Sequence, residues 1–532
     1  MSERIEQGER TRLSLLAVLV IASGGIGWGQ DNDPAWRLQS DGTWRAETVS
    51  IGQQGSQVFA EYGAYQNSVV LLSSFDVSPP TPAWADERQA YNFVRRVESS
   101  ADAGVHVSLH QEFLPGSYAV RQPVLRCYSS DSAGPDWTCV MPVDIPGHAF
   151  ADVRVSASGD RILGVVYDSY QGKTYLSAFD SSSENPISEH WIQTLGPFRA
   201  LDMSADGTTA VVASDLAVMI IDVATTTIVH TKYLMGAANF GAVSLSEDAS
   251  TLVFGTIGKV LIFERGASGT YTESANFVLP AETYCGELDL SRDGSTLVMG
   301  LNSFQDPLTA RVLAIDFDTR ETVTEYATTG TGEFQNAVSG VGVAVDGSRF
   351  VVGLWGDEGE TVPELLVFER GQNAPVNSID LPGSVNAIDL SPDGDHVAVA
   401  SKIGHANEAG AGGAFWLFET RERDLNLCGV PSVGDTVQLE HQTTPGTLTR
   451  TLVSSGLASE PRDFGHVGSL VLDMDSMNFL PGSAVADGEG VARKSFTIPN
   501  DGTLIGTTLY FQGFGLRPRK LTNDWVAMSI LP

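Results

Sequence analysis

Along most of the chain, apolar and polar residues alternate over short stretches, and nowhere is the 3.6-residue period of an amphipathic helix sustained. The alternation is organised in repeats. An apolar run, a tight S-x-D-G turn and a second apolar run recur as DLSPDGDHVAVAS (389–401), DLSRDGSTLVMGL (289–301) and DMSADGTTAVVAS (202–214). Looser copies occupy 244–256, 342–354, 154–166, 97–109 and 49–61. The turn position falls at 54, 102, 158, 206, 248, 293, 346 and 393, so a unit of roughly 48 residues persists through variable insertions. Where the turn reads S-x-D-G, the Asp bonds its own downstream backbone and the Gly supplies a positive φ, which makes a hairpin. A third run follows, such as AVMIIDVAT or AFWLFETR, then a polar turn and a looser fourth strand. Four antiparallel strands per unit is the blade of a β-propeller, whereas solenoid repeats are shorter or helical.

The pattern therefore predicts an all-β chain with an eight-bladed β-propeller over 35–424, or a seven-bladed one if 49–96 forms no blade. The eighth copy stops near Arg421 without a fourth strand, while AWRLQSDGTWRAE (35–47) has no blade before it. That early segment is expected to close the ring as an outer strand. From 425 the repeat ends, and 425–532 is expected to form a small, β-rich, sandwich-like C-terminal domain.

Charge narrows the partners. Lys and Arg total 32 against 65 Asp and Glu, a net −33, and only six residues are lysine. With no basic run to neutralise phosphates, nucleic acid and anionic membrane are excluded as partners. Part of the acidic excess, like part of the 55 glycines, belongs to the turns. Near the start, Arg4, Arg10 and Arg12 precede an apolar run over 13–21 and then small residues. This is the layout of a secretory signal peptide over 1–30, or of an uncleaved N-terminal anchor. The chain is accordingly expected to be exported, to the periplasm, cell surface or exterior, with no later segment apolar enough to cross a membrane. Cys127 and Cys139 flank a turn-rich stretch, and a hairpin centred on 133 sets them opposite one another, so a disulfide is expected. Without a C-x-x-C pair or clustered histidines, no zinc site is expected.

The S-x-D-G hairpin behind an apolar strand, over about 49–423, resembles the broad bacterial superfamily of exported propellers. That superfamily includes YVTN-type surface proteins, the propeller of the Tol system and quinoprotein-like proteins. The G-H and W-D pairs of WD-type repeats are missing. The resemblance implies a fold and export, and leaves function open. Segments 314–326 and 178–191 faintly resemble a quinone-enzyme blade motif, but its glycine and tryptophan are mostly absent, so no cofactor is expected. Residues 499–530 resemble a small C-terminal module of exported proteins from environmental bacteria, through Pro499, Leu504, Gly506, Tyr510, Gln512 and the closing Leu521, Thr522 and Asn523.

No G-x-S-x-G elbow marks a hydrolase. His106 and His110 share one face of a strand but stand about 13 Å apart, too far for one metal ion, and are expected on an exposed face. DMDSMN (473–478) lacks the glycine and distal glutamate of a calcium loop. Candidate binding residues come from the loops between second and third strands, which share one face and grow long at 61–68, 109–122, 300–311, 353–364 and 401–413. They carry Tyr62, Tyr65, Tyr118, Trp355, Asp357, Glu358, His405, Asn407 and Glu408, residue types that stack on and hydrogen-bond a saccharide or peptide. The expected function is that of a non-enzymatic binding protein for a protein, cell-wall or carbohydrate partner. The alternative is a lactonase, lyase or glycosidase whose carboxylates converge from several blades on the central channel.

Overall fold

The computed structural model describes residues 36–39, 45–52, 57–64, 67–74, 82–88, 91–113, 121–143 except 131 and 133, 150–420 except 195, 235–241, 281 and 409–411, and 425–530 except 429–430, 489 and 517–518. Contacts divide the chain at Thr420/Arg421 into two compact units. The N-terminal 1–30 segment lies outside the described residues, and no helix among the described residues is long and apolar enough to cross a membrane.

Among the described residues, the larger unit shows eight four-stranded antiparallel sheets. In chain order they span 45–88, 91–140, 150–193, 198–233, 243–278, 283–329, 338–379 and 385–419, and the eighth takes its outer strand from Trp36–Gln39. That strand pairs with Gly413–Glu419, Leu38 opposite Phe415, and the Arg37 guanidinium lies 4.2 Å from the Trp416 ring centre. The first strand of each sheet touches the first strand of the next, and Arg45–Ile51 touches Val385–Leu390, so the sheets close on themselves as a β-propeller. Apolar side chains fill the spaces between sheets. The third and fourth meet through Leu163, Val165, Leu201 and Val212, and the eighth and first through Ala398, Phe415, Val49 and Val58.

The S-x-D-G turn does two jobs. Within a sheet, Ser204 donates to Asp206 Oδ1 at 2.7 Å, Thr208 N donates to the same oxygen at 2.9 Å, and Gly207 holds φ +66. The same geometry recurs at Ser246/Asp248, Ser291/Asp293 and Ser391/Asp393. Between sheets, the second turn residue carries a backbone belt: Ala101 N donates to Ala157 O, Ala157 N to Ala205 O, Ala205 N to Glu247 O, and Val345 N to Pro392 O. Pro392 has no N–H to pass the belt on.

The expected disulfide is not formed, and Cys127 and Cys139 are free thiols. Their hairpin has a different register from the one the bridge needs: Cys127 faces Trp137 and Cys139 faces Leu125. Trp137 holds that position by stacking on Phe179 and donating to Ser181 O at 2.6 Å. His106 and His110, expected on an open face, are both fully buried. His106 Nδ1 pairs with Ser99 Oγ at 2.9 Å against the Phe59 ring, and His110 joins Arg126 and Glu112 in a buried ionic cluster.

The second unit, from Arg421, holds a three-stranded sheet and a larger sheet built on Leu448–Ser454, Thr508–Leu516 and Arg519–Ser529. Its core includes Leu425, Val437, Leu439, Phe511 and Met528. The motif residue Gln512 is fully buried, accepting from Val471 N and donating to Ser469 O and Thr522 O, so it is a latch between strands. Asp473 is occupied by the turn N–H of Asp475 and by Ser476 Oγ.

Candidate functional site

Two places in the propeller gather chemistry. The first lies on the axis. A cavity of about 200 Å3 is rimmed by the turn residues Ala157, Ala205, Glu247, Arg292, Val345 and Pro392. The residue two before the first turn position also contributes from seven of the sheets: Glu98, Arg154, Asp202, Ser244, Asp289, Gly342 and Asp389 line it. Ser50, in the same position of the first sheet, donates to Asp389 at 3.1 Å. Alternation delivers these residues, because inner strands of equal register place equivalent positions at one level.

Arg154 is the hub of the charges. It stands 3.6 Å from Glu98, 3.0 Å from Asp152 and 3.8 Å from Asp202, while Arg96 reaches Asp152 at 3.2 Å. Burial opposes its charge, but these three carboxylates outweigh burial and raise its pKa. The carboxylates outnumber the guanidiniums, so burial pushes Glu98 and Asp289 up to about 7 and Glu287 to about 8, and raises Asp202 and Asp389. Three of these acids also tie neighbouring sheets together. Asp202 accepts from Leu245 N at 2.7 Å, Asp289 from Val343 N at 3.0 Å and Asp389 from Ile51 N at 2.8 Å. Among the described residues no group of three or more His, Cys, Asp or Glu is arranged to hold a metal ion.

The second place is the opposite face, where second strands turn into third strands and each sheet leads to the next. Successive turns expose one large apolar side chain apiece: Tyr170 (83% exposed), Leu216 (46%), Ile257 (38%) and Phe304 (51%). Each sits within two residues of the end of a second strand in the third to sixth sheets. In the seventh sheet Trp355 takes this place, half-buried.

Of the loop residues singled out by sequence, Tyr65 and Tyr118 lie outside the described residues, and Tyr62 is on the strand Gln57–Ala64. The rest come together as braces. Asp357 is buried and accepts from the backbone and hydroxyl of both Thr331 and Thr361, at 2.6 to 2.7 Å, and from Val362 N. Burial works against its charge, but those donors hold its pKa well below the usual range. Glu358 accepts from Glu333 N at 2.8 Å. His405 is buried, stacked on Phe334 at 4.9 Å with Trp355 edge-on, its Nε2 3.1 Å from Gln335 O. Asn407 N donates to His405 Nδ1, and Glu408 Oε2 accepts from His405 N. Lys402 Nζ is buried among the carbonyls of His405, Ala406 and Glu408. These contacts make one plate of the turns of the sixth, seventh and eighth sheets, with Ser384 bridging Trp355 O and Ala406 N.

The sequence reading missed the axial charges. The first Asp of D-x-S-x-D-G was their signal, repeated at 202, 289 and 389 but overshadowed by the turn aspartate.

Fold and sites together define a β-propeller followed by a separate β-rich unit. No family model matches the chain, and no curated protein matches it. Among solved structures it is similar to the Cps50 (Swd1) β-propeller domain of Myceliophteria thermophila, with 11% identity and a TM-score of 0.40, over 70% of this chain and 96% of that one.

Proposed function

We propose that this chain is an exported, eight-bladed, non-enzymatic propeller that binds a protein partner through the face of its second-to-third-strand turns. The observation that carries the reading is the file of exposed apolar tips Tyr170, Leu216, Ile257 and Phe304, one from each of four consecutive sheets on one face. Exposed apolar side chains repeated turn after turn on one face of a rigid frame support an interaction surface. The arginine-flanked apolar run near the N-terminus and the resemblance of 499–530 to modules of exported proteins support export. The test is retention of envelope proteins by the immobilised chain and by a Leu216→Ser/Ile257→Ser variant of equal thermal stability. A protein held by the first and released by the second is expected; identical retention by both refutes the reading.

The axial carboxylates favour a second reading, catalysis in the channel. Glu98 and Asp202 flank one guanidinium, an arrangement compatible with acid–base chemistry. Size and bonding favour binding over catalysis. The cavity of about 200 Å3 is smaller than the roughly 300–1,000 Å3 of usual ligand sites, and three of its acids already tie sheets together. Hydrolysis of a lactone, uronide or glycoside that disappears in Asp202→Asn would reverse this order.

A further inference from the structure

The sector of the turn face formed by the sixth, seventh and eighth sheets specifies its partner further than apolarity alone. Its turns are already ordered by the Asp357, Glu358, His405 and Ser384 bonds, so a partner meets a surface that needs little ordering. Its exposed charge has one sign, because Lys402, the cation beneath these turns, has its Nζ buried among the carbonyls of His405, Ala406 and Glu408. Segments 303–308, 330–336, 355–364, 380–383 and 403–408 contain no Lys or Arg. Asp306, Glu333, Glu358, Glu360, Asp380 and Glu408 are all exposed there. Between these carboxylates stand Phe304, stacked on Tyr284 at 4.6 Å, and the half-buried rings of Phe334 and Trp355.

Aromatic faces inside an uncompensated negative field favour cations that carry apolar neighbours. A guanidinium or ammonium lies over a ring while pairing with a carboxylate, and an adjacent Leu or Phe covers the apolar tip. An acidic segment is repelled, and a neutral saccharide leaves the field uncompensated.

We infer that this sector takes a basic, apolar protein segment, with Lys or Arg interleaved with Leu or Phe. The inference rests on reading the turn face as a binding surface. It is tested by fluorescence anisotropy of the full chain with three synthetic peptides of about 15 residues. One alternates Arg or Lys with Leu or Phe, one carries Glu in place of the cations, and one carries Ser in place of the apolar residues. The basic apolar peptide is expected to bind at least about ten-fold tighter than either control. Its affinity should fall about ten-fold in Glu333→Gln/Glu360→Gln, fall similarly in Phe304→Ser, and weaken with salt. Equal binding of either control, or binding unchanged in both variants, overturns the inference. Envelope retention by wild type that Leu216→Ser/Ile257→Ser loses, with no peptide bound, leaves the binding face standing and overturns the basic partner. Loss of both overturns both.

Discussion

His106 offers a direct test of how the propeller handles a buried titratable ring. It is fully buried between Phe59 and Ser99, and its Nε2 has no hydrogen-bond partner among the described residues. Burial lowers its pKa from 6.5 to about 4, although the nearby Asp102 carboxylate pulls the other way. The unfolded chain thus binds a proton below about pH 6.5 that the folded chain refuses until about pH 4. Stability from the neutral ring is full above the unfolded pKa and drains away as pH falls between those limits. A shift of this size corresponds to about 2 kcal/mol lost between pH 7 and pH 5, and to about 3 kcal/mol by pH 4. For a unit this large, 2 kcal/mol moves the melting temperature by only about 2–3 °C, so denaturant unfolding monitored at both pH values is the more telling assay. His106→Gln keeps a polar partner for Ser99 and does not titrate. The variant should be less stable than wild type at pH 7, and that gap should shrink by about 2 kcal/mol at pH 5. The channel acids titrate in the opposite sense, but they are common to both proteins and cancel in the difference. A gap that stays constant from pH 7 to pH 5 would show that the ring is not held neutral by burial.

Three further outcomes are expected. Asp289 holds its proton up to about pH 7, so its contribution is present at pH 4 and lost as pH rises; Asp289→Asn, which still accepts from Val343 N, should match wild type at pH 4 and exceed it by about 3–4 kcal/mol at pH 8 in denaturant unfolding. Gly207→Ala should cost about 2–3 kcal/mol, because φ is +66 and a Cβ would lie 2.7 Å from Arg161 Cβ. Gly294→Ala, with the same backbone and nothing within 4 Å, should cost only about 1–2 kcal/mol by the same measurement. In the second unit, Gln512→Ala strands Val471 N and two carbonyls and should cost about 2–4 kcal/mol, read as faster amide exchange at Val471 and accelerated proteolysis within 425–530.

Local rules made the strands and turns legible. S-x-D-G encodes a hairpin through contacts no more than five residues apart, as Ser204, Asp206 and Thr209 demonstrate, so it was readable wherever it occurred. The unpaired early segment 35–47 foretold the outer strand Trp36–Gln39 for the same reason: a three-stranded remainder leaves an edge to be covered. The loop inventory gathered residues that the fold brings together on one face, but the bonds between them were not legible in it. Asp357 and His405 have the chemistry of ligand-binding residues, yet donors from neighbouring turns consume it, and no spacing along the chain announces that Thr331 will reach Asp357. The Cys127/Cys139 pairing failed over a choice of register, which Trp137 settles by packing on the next sheet.

By itself, then, the sequence determined what is periodic and local: the all-β character, the roughly 48-residue unit, its turn chemistry and the end of the repeat before the second unit. Tertiary structure alone decided what depends on closure. Residues some 50 positions apart converge on the axis only when the sheets close on themselves, and there Asp202, Asp289 and Asp389 cease to be strand residues and become a crowded set of acids. The same closure places the apolar tips of separate turns on one face. Burial and field depend on neighbours in space, and spacing along the chain does not encode them.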